Sequence, residues 1–235
     1  MRSLHRWLII TLFNSAALQA SIYVVRPMIT YKALELNGTG KTVGILGALY
    51  AILPVLVAVF FGKIVGRIGE RAFLIIGSTG VLSSSFLLSK SNSLLTLGLL
   101  TAIAGVSHLA VMVGGQTMMA NRSTHETYDR DFGYYTFSAS LGHSFGPIIA
   151  GLLAGSLANG LPSQSNKAFI FAVFLSSLAL IPTFKWRRNQ PILEITSEQS
   201  STWLSAKNML SRKEISLSIF ISLAVATTID LLVIF

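Results

Sequence analysis

Long uncharged runs constrain this chain more than any other feature. Thr42–Phe61 and Ala72–Ser89 contain no charged residue, and a run of about 20 apolar residues crosses the ~30 Å hydrocarbon core of a bilayer as one helix. Between these two runs lies Gly62–Leu74, reading GKIVGRIGERAFL. It is read as a short basic turn joining two spanning helices, with Lys63, Arg67 and Arg71 on the cytoplasmic side. Gly62, Gly66 and Gly69 are expected to keep the turn narrow and let the helix ends approach.

The same reading extends to the whole chain and predicts an all-α membrane protein. Spans are expected at Trp7–Met28, Thr42–Phe61, Ala72–Ser89, Leu94–Met119, Tyr134–Ala158 and Ala168–Phe184, and a seventh starts near Ile215. Residues 1–184 form a six-helix transmembrane domain. Residues 185–214 are a cytoplasmic loop, in which Trp203, Leu204, Lys207, Leu210 and Lys213 fit a short amphipathic helix on the inner surface. Residues 215–235 begin a second transmembrane domain. The run after Met1–Arg6 is too long for a signal-peptide core and is read as the first span. Arg26-Pro27 is expected to mark its outer end, and Pro54 to kink the second span.

Charge placement sets the orientation. The segments placed inside hold 13 of the 18 Lys and Arg, and the outer loops hold Arg26, Lys32, Lys41, Lys90 and Lys167. That bias puts the N-terminus in the cytoplasm and the chain in a membrane of the bacterial cytoplasmic (inner) type. Charged residues are only 11% of the chain, against roughly 25% in ordinary soluble domains. The net charge of +9 does not signal nucleic acid, because the basic residues sit in short turns and no basic stripe with interleaved aromatics is present. Cysteine is absent, which excludes disulfides and thiolate chemistry. Gly40-Lys41-Thr42 resembles the end of a phosphate-binding loop, but Glu35 stands where that motif needs its first glycine. Asn37-Gly38-Thr39 fits a glycosylation acceptor, a pattern frequent by chance. No metal-ligand spacing, paired carboxylates or nucleophile motif appears, so neither an enzyme nor a cofactor is expected.

Six spans, an inner N-terminus, a basic turn after the second span and a long inner loop after the sixth resemble the first half of a major facilitator superfamily transporter. The family's signature at the turn is glycine, three residues, aspartate-arginine, one residue, glycine and two basic residues. This chain has Gly62, Gly66-Arg67, Gly69 and Glu70-Arg71, so Gly66 replaces the aspartate and Glu70 a basic residue. The aspartate's contact with the other half, which closes the inner face in the family, cannot form here as usual. In the fifth span, Gly142, Gly146-Pro147 and Ala150-Gly151 look like the family's antiporter motif, with Ala150 in place of one glycine. Small residues there allow tight packing on a neighbour, and the proline loosens the helix where the bundle must rock. The arginine that the family often carries four residues before a glycine in the fourth span is Thr101, before Gly105.

The resemblance implies two inverted three-helix repeats and a substrate site near the midplane. It also implies alternating access and efflux of a small organic solute by proton antiport. Asn14, Gln19 and Tyr23 are candidates to line the cavity, or else to form interhelical hydrogen bonds of about 0.6 kcal/mol each. Gln116, Ser140 and Ser144 are further cavity candidates; for His143, Ser140 and Ser144 the alternative, and the favoured reading, is glue between helices. His108 is a candidate proton carrier, because histidine titrates near neutral pH, or a neutral packing residue. Asp230, a carboxylate inside the seventh span, is costly there unless it is paired or functional. Glu126, Asp129, Arg130 and Asp131 read as a solvated inner turn.

The expected partners are the lipid bilayer and a small-molecule substrate. A second copy or a separately encoded C-terminal half is also expected, since the family needs twelve spans and the sequence reads as truncated in the seventh. The alternative is a truncated, non-transporting remnant that only associates with other membrane proteins.

Overall fold

A computed structural model describes residues 6–155 and 164–184, and in the remainder residues 211, 212, 216, 217, 220 and 221. The chain divides into two compact units, Met1–Gln190 and Pro191–Phe235. The first contains α1 (Arg6–Glu35), α2 (Gly40–Ile68), α3 (Glu70–Ser89), α4 (Leu94–Arg122), α5 (Tyr128–Ala154) and α6 (Ser165–Phe184). All six are long and apolar enough to cross a membrane. The amphipathic segment around Trp203–Lys213 and Asp230 lie outside the described residues, as does all but a few residues of the seventh span.

The helices begin and end beyond the predicted apolar cores. Pro27 does not end α1, which runs on to Glu35. A helical proline costs one backbone hydrogen bond, and packing on both sides of Pro27 holds the rest of the ladder. The predicted turn Gly62–Leu74 is almost entirely helix: α2 continues to Ile68, α3 starts at Glu70, and Gly69 alone interrupts them with φ +86°. Gly62 faces no neighbouring atoms, so it does not serve a close approach. The predicted charged loop Asn121–Gly133 shrinks to residues 123–127. Asp131 is not solvated there, because it sits in the first turn of α5, 2% exposed, with its carboxylate taking both Arg130 Nε and Nη2. Periodicity locates the apolar middle of a span, whereas polar rims that remain helical carry no such signal.

The helices form two matching sets. The first has lengths of 30, 29 and 20 residues, the second 29, 27 and 20. In the first, α1 packs on α5 and α6; in the second, α4 packs on α2 and α3; and α3 meets α6. Exchanging α1 with α4, α2 with α5 and α3 with α6 maps these packings onto themselves. Three spans are an odd number, so the second set enters from the opposite side, as the inverted-repeat expectation requires.

The buried centre is filled by apolar side chains toward both ends. Val24, Met28, Leu97, Ala150 and Phe169 pack at one end, and Leu8, Leu74, Met118 and Tyr135 at the other. Large apolar side chains also point outward, among them Val55, Leu95 and Leu152, each more than 70% exposed. On a soluble protein such a surface would aggregate, whereas in a bilayer it is the solvated surface.

Candidate functional site

The site is a polar and aromatic cluster in the middle of the spans, built by four helices. Gln19, Tyr23 and Arg26 occupy positions i, i+4 and i+7 of α1 and so share one face. Among the described residues, Arg26 is the one formally charged side chain more than two turns from a helix end. Its guanidinium lies 5.5 Å from the centroid of the Tyr23 ring and 4.9 Å from that of Tyr50 on α2, a cation–π arrangement with both. The Tyr50 hydroxyl is hydrogen-bonded to His108 Nδ1 on α4 at 2.8 Å. Tyr23 stacks on His143 of α5 with centroids 4.2 Å apart. Gln19 is fully buried and donates from Nε2 to Met112 Sδ on α4 at 2.8 Å. Its Oε1 is also buried and has no hydrogen-bond partner. Leaving such an acceptor unpaired costs about 1–3 kcal/mol.

Three of the four prolines in the described helices mark this level of the bundle; Pro182 lies in the last turn of α6. Pro27, Pro54 and Pro147 lie inside α1, α2 and α5. A proline has no N–H to offer the carbonyl four residues earlier, and those carbonyls belong to Tyr23, Tyr50 and His143.

Glycines bring the four helices close enough for these contacts. A Cβ on Gly142 would stand 2.6 Å from both Ala16 O and Ala20 N, and one on Gly146 would stand 2.6 Å from Tyr23 Cβ. So α5 lies directly against α1. A Cβ on Gly105 would collide with Tyr50 O, so α4 lies as closely against α2. Ala150 is completely buried, and Gly151 faces open space. Gly44 and Gly47 of α2 also face no neighbouring atoms; the approach of α2 to α4 is made by the glycine of the partner helix.

The remaining candidates are not gathered at the cluster. Asn14 donates to Ala179 O of α6 at 3.1 Å and ties two helices together. Gln116, Ser140 and Ser144 are exposed on the flanks of α4 and α5. Thr101 is buried and donates to Leu97 O within its own helix. Arg26, Tyr50 and Met112 were not singled out from the sequence. Arg26 looked like a rim residue because Pro27 follows it, and the tyrosines' position four residues before a helical proline is a signal that sequence inspection offers.

The Major Facilitator Superfamily family model matches residues 11–235. The chain belongs to the major facilitator superfamily. Over 178 residues it is 25% identical to the quinolone resistance protein NorA of Staphylococcus aureus, covering 76% of this chain and 46% of NorA. It is 30% identical over 159 residues to multidrug resistance protein 1 of Bacillus subtilis, covering 67% of this chain and 41% of that relative. The chain thus spans less than half the length of the curated relatives it matches.

The turn that resembles the superfamily's signature is tied to α4 and α6 within this bundle. Glu70, at the position of a basic residue in the signature, forms an ion pair with Arg122 at the end of α4, Oε1 to Nε 3.1 Å, with both side chains about five-sixths buried. Arg71 donates to Thr183 O at 3.2 Å and Phe184 O at 2.9 Å, the last carbonyls of α6. A cation at a helix C-terminus satisfies orphan carbonyls and complements the helix dipole. Arg67 is exposed. At the opposite rim, Glu35 accepts from Ser165 Oγ at 2.9 Å at the start of α6 and pairs with Lys32 at 3.3 Å.

Proposed function

We propose that this chain forms the N-terminal half of a secondary transporter that moves a small organic solute across the membrane. The observation that carries the reading is the mid-span cluster of Gln19, Tyr23, Arg26, Tyr50, His108 and His143. Polar and ionisable side chains inside a membrane are costly and line pathways for solutes or ions. The names of the two relatives, quinolone resistance and multidrug resistance, support drug-like molecules as the cargo; the proposed movement is outward, by alternating access of two halves about the midplane. The N-terminus faces the cytoplasm, in a membrane of the bacterial inner type. The second half comes from further sequence, a second copy or a separate chain.

His108 is the proposed proton carrier, with Asp230 as a second candidate. The Tyr50–His108 hydrogen bond links α2 to α4, so a change in the charge of the imidazole is felt by both helices. Gly62–Arg71 and Gly142–Gly151 are the proposed moving parts. A second reading, a membrane protein that associates with others without transporting, is favoured by Gly66 and Thr101, which stand where the family carries an aspartate and an arginine.

Reconstitution in proteoliposomes separates the two, with the chain alone and with a C-terminal six-span half supplied in trans. Proton-gradient-driven dye efflux from the paired sample supports transport, and no flux from either sample supports the non-transporting reading. Efflux that survives His108→Ala in a pH-jump assay removes His108 as obligatory carrier.

A further inference from the structure

A cavity of about 580 Å³ opens at the turn between α3 and α4, and none of its lining residues belongs to the mid-span cluster. That volume falls within the ~300–1,000 Å³ of sites that hold small molecules. Its lining is graded from polar to apolar. Thr96, Leu99 and Ile103 stand at i, i+3 and i+7 on one face of α4, and Leu87 closes the groove from α3. Leu87, Leu99 and Ile103 are 46%, 60% and 51% exposed, so the groove is open along its length. Ser93 and Ile103 are about 15 Å apart along the helix axis, the depth of one leaflet of a ~30 Å hydrocarbon core.

The polar residues all lie at the mouth. The serine hydroxyls there are engaged within the turn: Ser91 Oγ donates to Leu88 O at 3.0 Å, and Ser93 Oγ accepts from the Thr96 N–H at 3.2 Å. Lys90 and Asn92 differ. Both are exposed, and among the described residues their side chains have no hydrogen-bond or ion-pair partner. No Asp or Glu is among the described residues that line the cavity, so its mouth carries one uncompensated positive charge.

We propose that this groove holds one anionic phospholipid. Its phosphate meets Lys90 and Asn92, and one acyl chain lies along Leu87, Leu99 and Ile103. In the orientation proposed above, this is a lipid of the outer leaflet. Binding here needs the chain to span a bilayer and does not need it to transport. An apolar groove alone selects nothing in a membrane, because lipid tails are as apolar as leucine. Selection therefore falls to the mouth. A phosphate accepts from both the Lys90 ammonium and the Asn92 amide. A zwitterionic headgroup brings an ammonium of its own, which meets no carboxylate here and is repelled by Lys90. A water-soluble anion matches the mouth but gains nothing by displacing lipid tails from the apolar part.

The test is native mass spectrometry of the full chain, delipidated in detergent and titrated with dioleoylphosphatidylglycerol or dioleoylphosphatidylethanolamine, reading the first lipid bound. Phosphatidylglycerol is expected to bind about fivefold more tightly, the effect of one cation at the headgroups. Lys90→Gln should abolish that preference, and Lys90→Arg should keep it, because a guanidinium also holds phosphate. Lys41→Gln, in the first turn of α2 at the same rim and outside the cavity, should leave it unchanged. Leu99→Trp, which fills the groove from an exposed position, should weaken both lipids by a common factor.

Equal affinity of the unsubstituted chain for the two lipids overturns the proposal. So does a preference that survives Lys90→Gln, or one that Lys41→Gln lowers as much. Unchanged binding of both lipids by Leu99→Trp means that no acyl chain occupies the groove, and overturns it as well. The preference is expected to persist in the complex with a C-terminal six-span half. Its loss there means that the second half covers the groove, which sinks the lipid assignment and leaves the transport reading standing.

Discussion

Single residues carry their weight through space rather than charge in much of this bundle. Gly142 and Gly151 belong to one sequence pattern but have opposite surroundings. A methyl group at Gly142 meets backbone atoms of α1, which cannot swing aside, whereas Gly151 has nothing within 4 Å. Gly142→Ala should therefore lower the unfolding free energy by about 1–3 kcal/mol, read by circular dichroism during unfolding in mixed micelles. Gly151→Ala should leave it unchanged or raise it by about 0.5 kcal/mol, because alanine loses less entropy in a helix. If the two variants behave alike, the α1–α5 contact is not as tight as the structure has it. Tyr50→Phe removes the hydroxyl that meets His108 Nδ1 and should cost about 1 kcal/mol in the same assay. At this scale the sequence was only partly legible. Gln19, Tyr23 and His108 stood out because they interrupt apolar runs. Arg26 was assigned to a rim because a proline after an arginine looks like a helix end, and only the continued helix to Glu35 reveals its depth.

Helices were legible as elements and illegible at their ends. Apolar composition placed all six, but the predicted loops at 62–74 and 121–133 were largely helical turns with charged side chains. The reason is visible at Glu70 and Arg122. Each would be a solvated loop charge in isolation, and here each lies in a helix terminus and neutralises the other across the rim. Charge reversal tests this pairing. Glu70→Arg and Arg122→Glu should each destabilise by about 1 kcal/mol, and the double reversal should recover most of the loss, as for a partly buried pair. Additive losses would mean that the ion pair couples nothing. Arg71 works differently, since its partners are the last carbonyls of α6 rather than an acid. Arg71→Gln should fray the end of α6, seen as faster amide hydrogen exchange around Thr183 with little change in α3.

On the scale of the whole bundle, the arrangement of six spans in two mutually inverted sets follows from helix lengths and packing partners together. The sequence alone supplied the number of spans, and the packing of α1 on α5 and of α4 on α2 became visible only in three dimensions. Since the chain contains no cysteine, every introduced cysteine is unique. Cysteines at Gly69 and His125 should react with a membrane-impermeant maleimide from one face of sealed vesicles. Cysteines at Gly38 and Asn92 should react from the other face. Mixed accessibility within either pair would contradict an alternating six-span path. The prolines at positions 27, 54 and 147 have a mechanical consequence for this path. Each leaves a column with one rung missing, and these three gaps fall beside Tyr23, Tyr50 and His143, whereas the fourth proline in the described helices, Pro182, lies in the last turn of α6. In the proposed transport cycle, columns weakened at one shared storey are expected to give way there first, letting the two rims lean in opposite senses while the side chains at that storey keep the same neighbours.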